Sequence, residues 1–179
     1  FEFIVIDRQD PTKSFNLTAK YKSVAISKLR FRDKKFDRYY ILNNTQELYS
    51  SEFKKEDLTK VADTVIDFHP HGADIVMYIS SIPNVKDKVS VKIAEKEKQY
   101  TMRELPVDKK YLMDLAEFDG KWYVVLGASN ENKVYIYVDP FKELQDNDQE
   151  QPIPQLLLTL DKPIEYLSFS ANARFISVQ

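Results

Sequence analysis

The chain has 179 residues, 43% of them hydrophobic, enough for a substantial core in one large domain or two small ones. Its 26 Lys and Arg and 28 Asp and Glu are interspersed along the chain, and the net charge of −2 offers no one-sided field for nucleic acid or an anionic membrane. Cysteine is absent, which excludes disulfide staples and a thiolate nucleophile but does not fix the compartment.

In chain order the elements are almost all strands. The opening "FEFIVID" reads as a strand, too short for a membrane span and without a signal-peptide cleavage pattern. The chain is therefore expected to be a fragment whose targeting or anchoring segment lies outside it. After "DRQDP" and "TKSFNLT" come "VAISKLRF" and "YYIL", rich in the aromatic and β-branched residues that suit a pleated surface. "SSEFKKEDLTKVAD" fits a short helix capped by Ser51, with Phe53, Leu58 and Val61 as its narrow apolar face, or a polar loop. "TVIDF", "DIVMYIS", "KVSVKI", "KWYVVLG" and "KVYIYV" follow, separated by "PHGAD", "PNVKD", "EFDGK" and "ASNENK", which supply the residues turns require. The acidic "ELQDNDQEQPIPQ" reads as a long surface loop ended by Pro152 and Pro154, before "QLLLTL", "PIEYLSF" and "RFISVQ".

These strands repeat. Tyr166, Leu167 and Phe169, the turn "SANA", then Phe175, Ile176 and Val178 line up with Val65, Ile66 and Phe68, "HPHGAD", then Ile75, Val76 and Tyr78. A third copy runs from Leu112, Leu115 and Phe118 through "DGK" to Trp122, Val124 and Val125, and a looser fourth from Val24 and Phe31 to Tyr39 and Ile41. The period of roughly 40 to 50 residues, with four strands in each, is that of propeller blades. The expected organisation is one all-β propeller or propeller segment over 1–179, with blades at 19–61, 62–106 and 107–161 and half blades at 162–179 and 1–18. That makes about four blades, or a piece of a larger ring. A β-sandwich with accidental repeats is the competing architecture.

"FHPHGADIVMYIS" and "FSANARFISVQ" resemble the F-S-P-D-G-x-x-I-A-F-x-S pattern of the TolB-like branch of WD40-like β-propellers, through Pro70 and Gly72 in the first and Ser170, Asn172 and Arg174 in the second. The chain has no Trp-Asp dipeptide and only 3 Gly, which sets it apart from conventional WD40 repeats. "IVIDRQDPTKSFNLT" and "DGKWYVVLGASNENKVYIY" are also similar to uncharacterised bacterial envelope proteins that join a PEGA module to a propeller. These resemblances imply a rigid scaffold in an extracytoplasmic, membrane-anchored bacterial parent, and bring no catalytic residues.

Candidate chemistry is sparse. Asp67, His69, His71 and Asp74 place two imidazoles two apart with carboxylates nearby, as a metal site would, yet the repeat alignment puts the pair on an inter-strand turn whose other copy carries Ser170 and Asn172. No G-x-S-x-G elbow or phosphate-binding glycine loop is present. Trp122, Tyr123, Tyr135 and Tyr137 form either an exposed patch for a peptide or glycan, with Lys133, Tyr135 and Tyr137 pointing outward, or strand residues packed between blades. The triplets at Asn16 and Asn43 carry no weight as glycosylation signals. The expectation is a non-enzymatic interaction or scaffold module, without catalytic residues, metal or cofactor, whose partner is a protein, a peptide or a glycan. A hydrolase or lyase with polar residues converging in the channel is the alternative.

Overall fold

The computed structural model describes residues 2–7, 9–31, 38–52, 55, 57–71, 74–95, 98–141 and 151–179. Among them the chain forms three four-stranded antiparallel sheets, two separate two-stranded sheets and a helical turn at Leu17–Lys20, in two compact units, Phe1–Val65 and Ile66–Gln179.

In the first unit β1 (Ile4–Ile6) and β2 (Ser14–Asn16) form a hairpin, and α1 (Leu17–Lys20) follows directly. The turn exists because the Asn16 side chain accepts the Ala19 N–H, and it is held because Leu17 is buried. Then β3 (Ile26–Phe31), β4 (Arg38–Asn43), β5 (Leu48–Glu52) and β6 (Thr59–Ala62) form one meander in chain order. Leu17, Tyr21, Tyr39 and Ile41 make the core, with Phe3, Val5, Ile26 and Leu29 packed against it. The Tyr21 and Tyr39 hydroxyls meet at 2.6 Å, Ser51 Oγ lies 3.1 Å from Tyr21, and Ser51 donates to the Asp57 carbonyl.

This corrects the helical reading of 50–63. Ser51 is a buried strand residue in β5 and caps no helix; Thr59–Ala62 is the edge strand of the sheet; Phe53, Lys54 and Glu56 lie outside the described residues. The helical turn falls at Leu17–Lys20, where sequence pattern indicates none, because four residues are too few to show a period.

The second meander is β7 (Val65–His71), β8 (Ile75–Ile82), β9 (Val85–Glu95) and β10 (Lys98–Pro106); the third is β11 (Tyr111–Phe118), β12 (Lys121–Ala128), β13 (Lys133–Val138) and β14 (Gln155–Thr159). The hairpin of β15 (Leu167–Phe169) and β16 (Ile176–Val178) comes last. Within the second unit these sheets stack face to face. Ile75, Met77, Val91, Ile93 and Met102 from the second meander meet Met113, Leu115, Val124, Leu126 and Tyr137 from the third. The opposite face of the third, through Val125 and Val134, packs on Ile164 and Leu167 of the last hairpin and its approach. A sheet covered on both faces by its neighbours in sequence is a propeller arrangement; a two-sheet sandwich has no such middle layer. The sandwich alternative is thereby corrected.

Each antiparallel hairpin has its own turn chemistry. Between β11 and β12, Asp119 and Gly120 take φ of 51° and 70°, the two left-handed positions of a tight primed turn. Within the acidic segment after Phe141, residues 142–150 lie outside the described residues, as do 32–37, Gly72 and Ala73.

Candidate functional site

The structure separates the residues that sequence pattern grouped. His69 and His71 belong to strand β7 rather than to a turn, which corrects their placement, because pairing continues as far as His71. His69 Nε2 lies 3.9 Å from Asp67 Oδ2, while the ring of His71 meets Trp122 edge-on with centroids 5.0 Å apart. Among the described residues no three His, Asp or Glu side chains converge as a metal site would require. The aromatic patch is also divided. Tyr137 is 1% exposed and, with Trp122, packs into the core between the second and third meanders, so only Tyr135 of the supposed outward pair reaches a cleft. Asn16 caps α1, and Asn43 is buried beside Glu47, to which its amide donates at 2.8 Å.

At one end of the sheets, a cleft of about 410 Å³ runs past His71, Asp114, Glu117 and Ser170. Two of its polar groups, Asp114 and Ser170, hold strands and turns together. Asp114 Oδ1 accepts the Leu115 N–H, and Oδ2 accepts both Ser168 Oγ and the Phe169 N–H at 2.8 Å, fastening β15 to β11. Ser170 Oγ donates to Asn172 Oδ1 and accepts the Phe175 N–H, closing the β15–β16 turn.

The other site is built from three connections that converge, those after β10, β12 and β14. Ser129 N–H donates to the Lys110 carbonyl, Ile164 N–H to the Glu131 carbonyl, and Asn132 exchanges hydrogen bonds with Leu160 through its backbone carbonyl and its side-chain amide. These bonds knit the loops into a rim around two adjoining cavities that share Glu131 and Tyr135. The enclosed lobe, about 150 Å³, is walled by Tyr111 and Tyr135, with Arg103 and Lys109 above a floor of Leu126 to Ala128. The open lobe, about 470 Å³, is lined by Asn130, Asn132, Lys133, Asp161 and Pro163.

The side chains of this groove are set by their neighbours. Lys109 is ion-paired with Glu131, whose hydrogen bond holds the ammonium above the ordinary lysine range. Burial pushes the Tyr111 hydroxyl up, and that hydroxyl donates to the Pro106 carbonyl at 2.8 Å. Arg103 faces the groove because of a β-bulge. The register of β10 against β9 skips Met102, so the alternation reverses there and both Tyr100 before it and Leu105 after it pack toward the third meander. Arg103 follows the same reversal and reaches the Tyr137 hydroxyl on β13. Of these residues sequence reading singles out Lys133 and Tyr135. "PVDKKY", a proline and a charged turn leading into an aromatic strand, is the signal that marks Lys109 and Tyr111.

Consecutive four-stranded antiparallel meanders packed face to face place the chain in the all-β, β-propeller class. Protein-family models and curated proteins give no match to it. Solved structures similar to it include the WD40 domain of SCAP from fission yeast, 12% identical with a TM-score of 0.48 over 79% of this chain and 33% of that one. Others are the N-terminal domain of Nup159, 11% identical with a TM-score of 0.42 over 90% of this chain and 46% of that one, and a chain of the S. cerevisiae assembly of Dbp5 bound to Nup159 and Gle1, 11% identical with a TM-score of 0.42 over 98% of this chain and 66% of that one. The chain thus spans between about a third and two thirds of the length of these solved chains. Neither the TolB-like nor the PEGA resemblance has a counterpart among them.

Proposed function

We propose that the chain is a non-enzymatic interaction module that holds an extended peptide segment of a protein partner in the groove between the second and third meanders. The observation that supports this is the rim itself: three connections fixed by hydrogen bonds around adjoining cavities that offer tyrosine walls, prolines and both signs of charge. Loops held rigid on a sheet scaffold give recognition without a large ordering cost, and tyrosine provides contact area for few lost rotamers. In the opposite cleft Asp114 and Ser170 are engaged in fastening strands, which favours binding over catalysis as the role of this segment.

Selection of random dodecapeptides on the wild-type chain tests the proposal. Selected peptides are expected to lose on the order of tenfold in affinity for Tyr135→Ala and to bind Tyr123→Ala, outside the groove, unchanged. Equal binding to both variants sinks the groove as the site. An extracytoplasmic bacterial parent, which the likeness to envelope proteins joining a PEGA module to a propeller implies, belongs to the same proposal; a phosphatase fused to the parent protein would be active on the outer side of the membrane and silent if the parent stays inside.

A further inference from the structure

We infer that the enclosed lobe of the groove receives an Asp or Glu side chain of the bound peptide, with Arg103 as its anchor. The inference rests on the peptide-binding reading above and specifies its partner chemistry. Arg103 is partly buried on β10, and its described polar contact is a long one, from Nη1 to the Tyr137 hydroxyl at 3.5 Å. None of the described ion pairs involves it, in contrast to Lys109 beside it, which is held by Glu131. A guanidinium carries five N–H donors in a planar fork, and one drawn partly out of water without a carboxylate is left under-satisfied. A carboxylate entering the lobe would take two of those donors in parallel, the geometry for which the fork is shaped.

The charge and size of the lobe select the anion. Its charged lining is Arg103, Lys109 and Glu131, a net of one positive charge, which a single carboxylate neutralises. A phosphate dianion would bring a second negative charge toward Glu131. The volume of about 150 Å³ equals the liquid share of about five waters, room for one side chain of Glu size. The hydroxyl of Tyr111 is already spent on the Pro106 carbonyl, so its ring serves as an apolar wall for the methylenes of the incoming residue.

Peptides selected from a random dodecapeptide library on the wild-type chain are the probe. They are expected to share an acidic residue at one fixed position, and replacing it by Gln is expected to weaken binding on the order of tenfold. Arg103→Ala should bind the acidic and Gln peptides alike, and Arg103→Lys should restore part of the difference. The comparison of the two peptides on wild-type protein needs no variant and so does not depend on how Arg103→Ala folds. Equal binding of both peptides to wild type, or a preference that survives in Arg103→Ala, overturns the carboxylate assignment. Sensitivity to Tyr135→Ala would then leave the groove reading standing, and insensitivity would remove both. A phosphoserine version that binds more tightly than the acidic peptide overturns the charge argument.

Discussion

At the residue scale, Ala173 carries the cost of the β15–β16 turn. Its φ is 58°, a left-handed conformation that an L residue adopts at a penalty of roughly 1 kcal/mol and glycine adopts freely. The turn demands that conformation because the Ala173 N–H donates to the Ser170 carbonyl and the Asn172 side chain accepts the Arg174 N–H. With the repeats aligned on Phe68 and Phe169, Ala173 falls opposite Gly72. Ala173→Gly is therefore expected to raise stability by about 0.5 kcal/mol or more, after the entropy glycine adds to the unfolded chain, read as a higher midpoint in urea; a lower midpoint would mean the turn is not strained. This turn was legible in sequence because its Ser, Asn and small residues stand at fixed offsets. Arg103 was not, since the bulge that aims it comes from one skipped residue in a register that only the folded sheet defines.

At the scale of elements, the last hairpin is joined to the third meander by packing and one carboxylate rather than by a strand ladder. Gly127 on β12 marks how close that approach is: a Cβ added there would stand 3.0 Å from Ile164 Cδ1 and 3.4 Å from the Lys133 carbonyl. Ile164 is fully buried and has little room to yield. Gly127→Ala is expected to cost on the order of 1 kcal/mol, and Ile164→Val, which removes the crowding methyl, should recover part of it in the double variant. A double-mutant cycle showing strict additivity would deny the contact. Asp114→Ala acts on the same junction. It orphans the Phe169 N–H and leaves the Ser168 hydroxyl only the Phe169 carbonyl, for an expected loss of roughly 1 to 3 kcal/mol and faster amide exchange in Leu167–Phe169 than in β12. The strong strands of these meanders were readable because β8 and β12 are apolar on both faces. The inner strand β5 and the edge strands β6 and β10 escaped sequence reading: β10 fully buries only Met102, and "KQYTMRELP" looks like a charged linker until its partner strand is known.

At the scale of the whole molecule, the two units should answer acid differently. Glu47 accepts hydrogen bonds from Lys60, Asn43, Tyr49 and Thr45, and these donors, Lys60 foremost, hold its carboxyl at about 2, below the ordinary 4.5. Arg38 lowers Glu52 in the same sheet, and the Thr12 hydroxyl lowers Asp10 in the hairpin turn, all within Phe1–Val65. A carboxylate whose folded pKa lies below its unfolded one stabilises the fold above the unfolded value. That contribution is complete above about pH 4.5 and is lost as the pH falls toward 2. Because these side chains are exposed, added salt should weaken the Lys60 part of it. Amide exchange compared at pH 5.5 and pH 3, corrected for intrinsic rates, is expected to show protection lost across β4 to β6 in the wild type. In Glu47→Gln the pH-dependent part of that loss should shrink, since the amide cannot be protonated in this range. The sole tryptophan, Trp122, lies in the other unit, so its fluorescence provides an independent record of Ile66–Gln179 in the same samples. If Glu47→Gln loses protection with pH as steeply as the wild type, the acid response of the first unit arises elsewhere than in the Asn43–Glu47–Lys60 cluster.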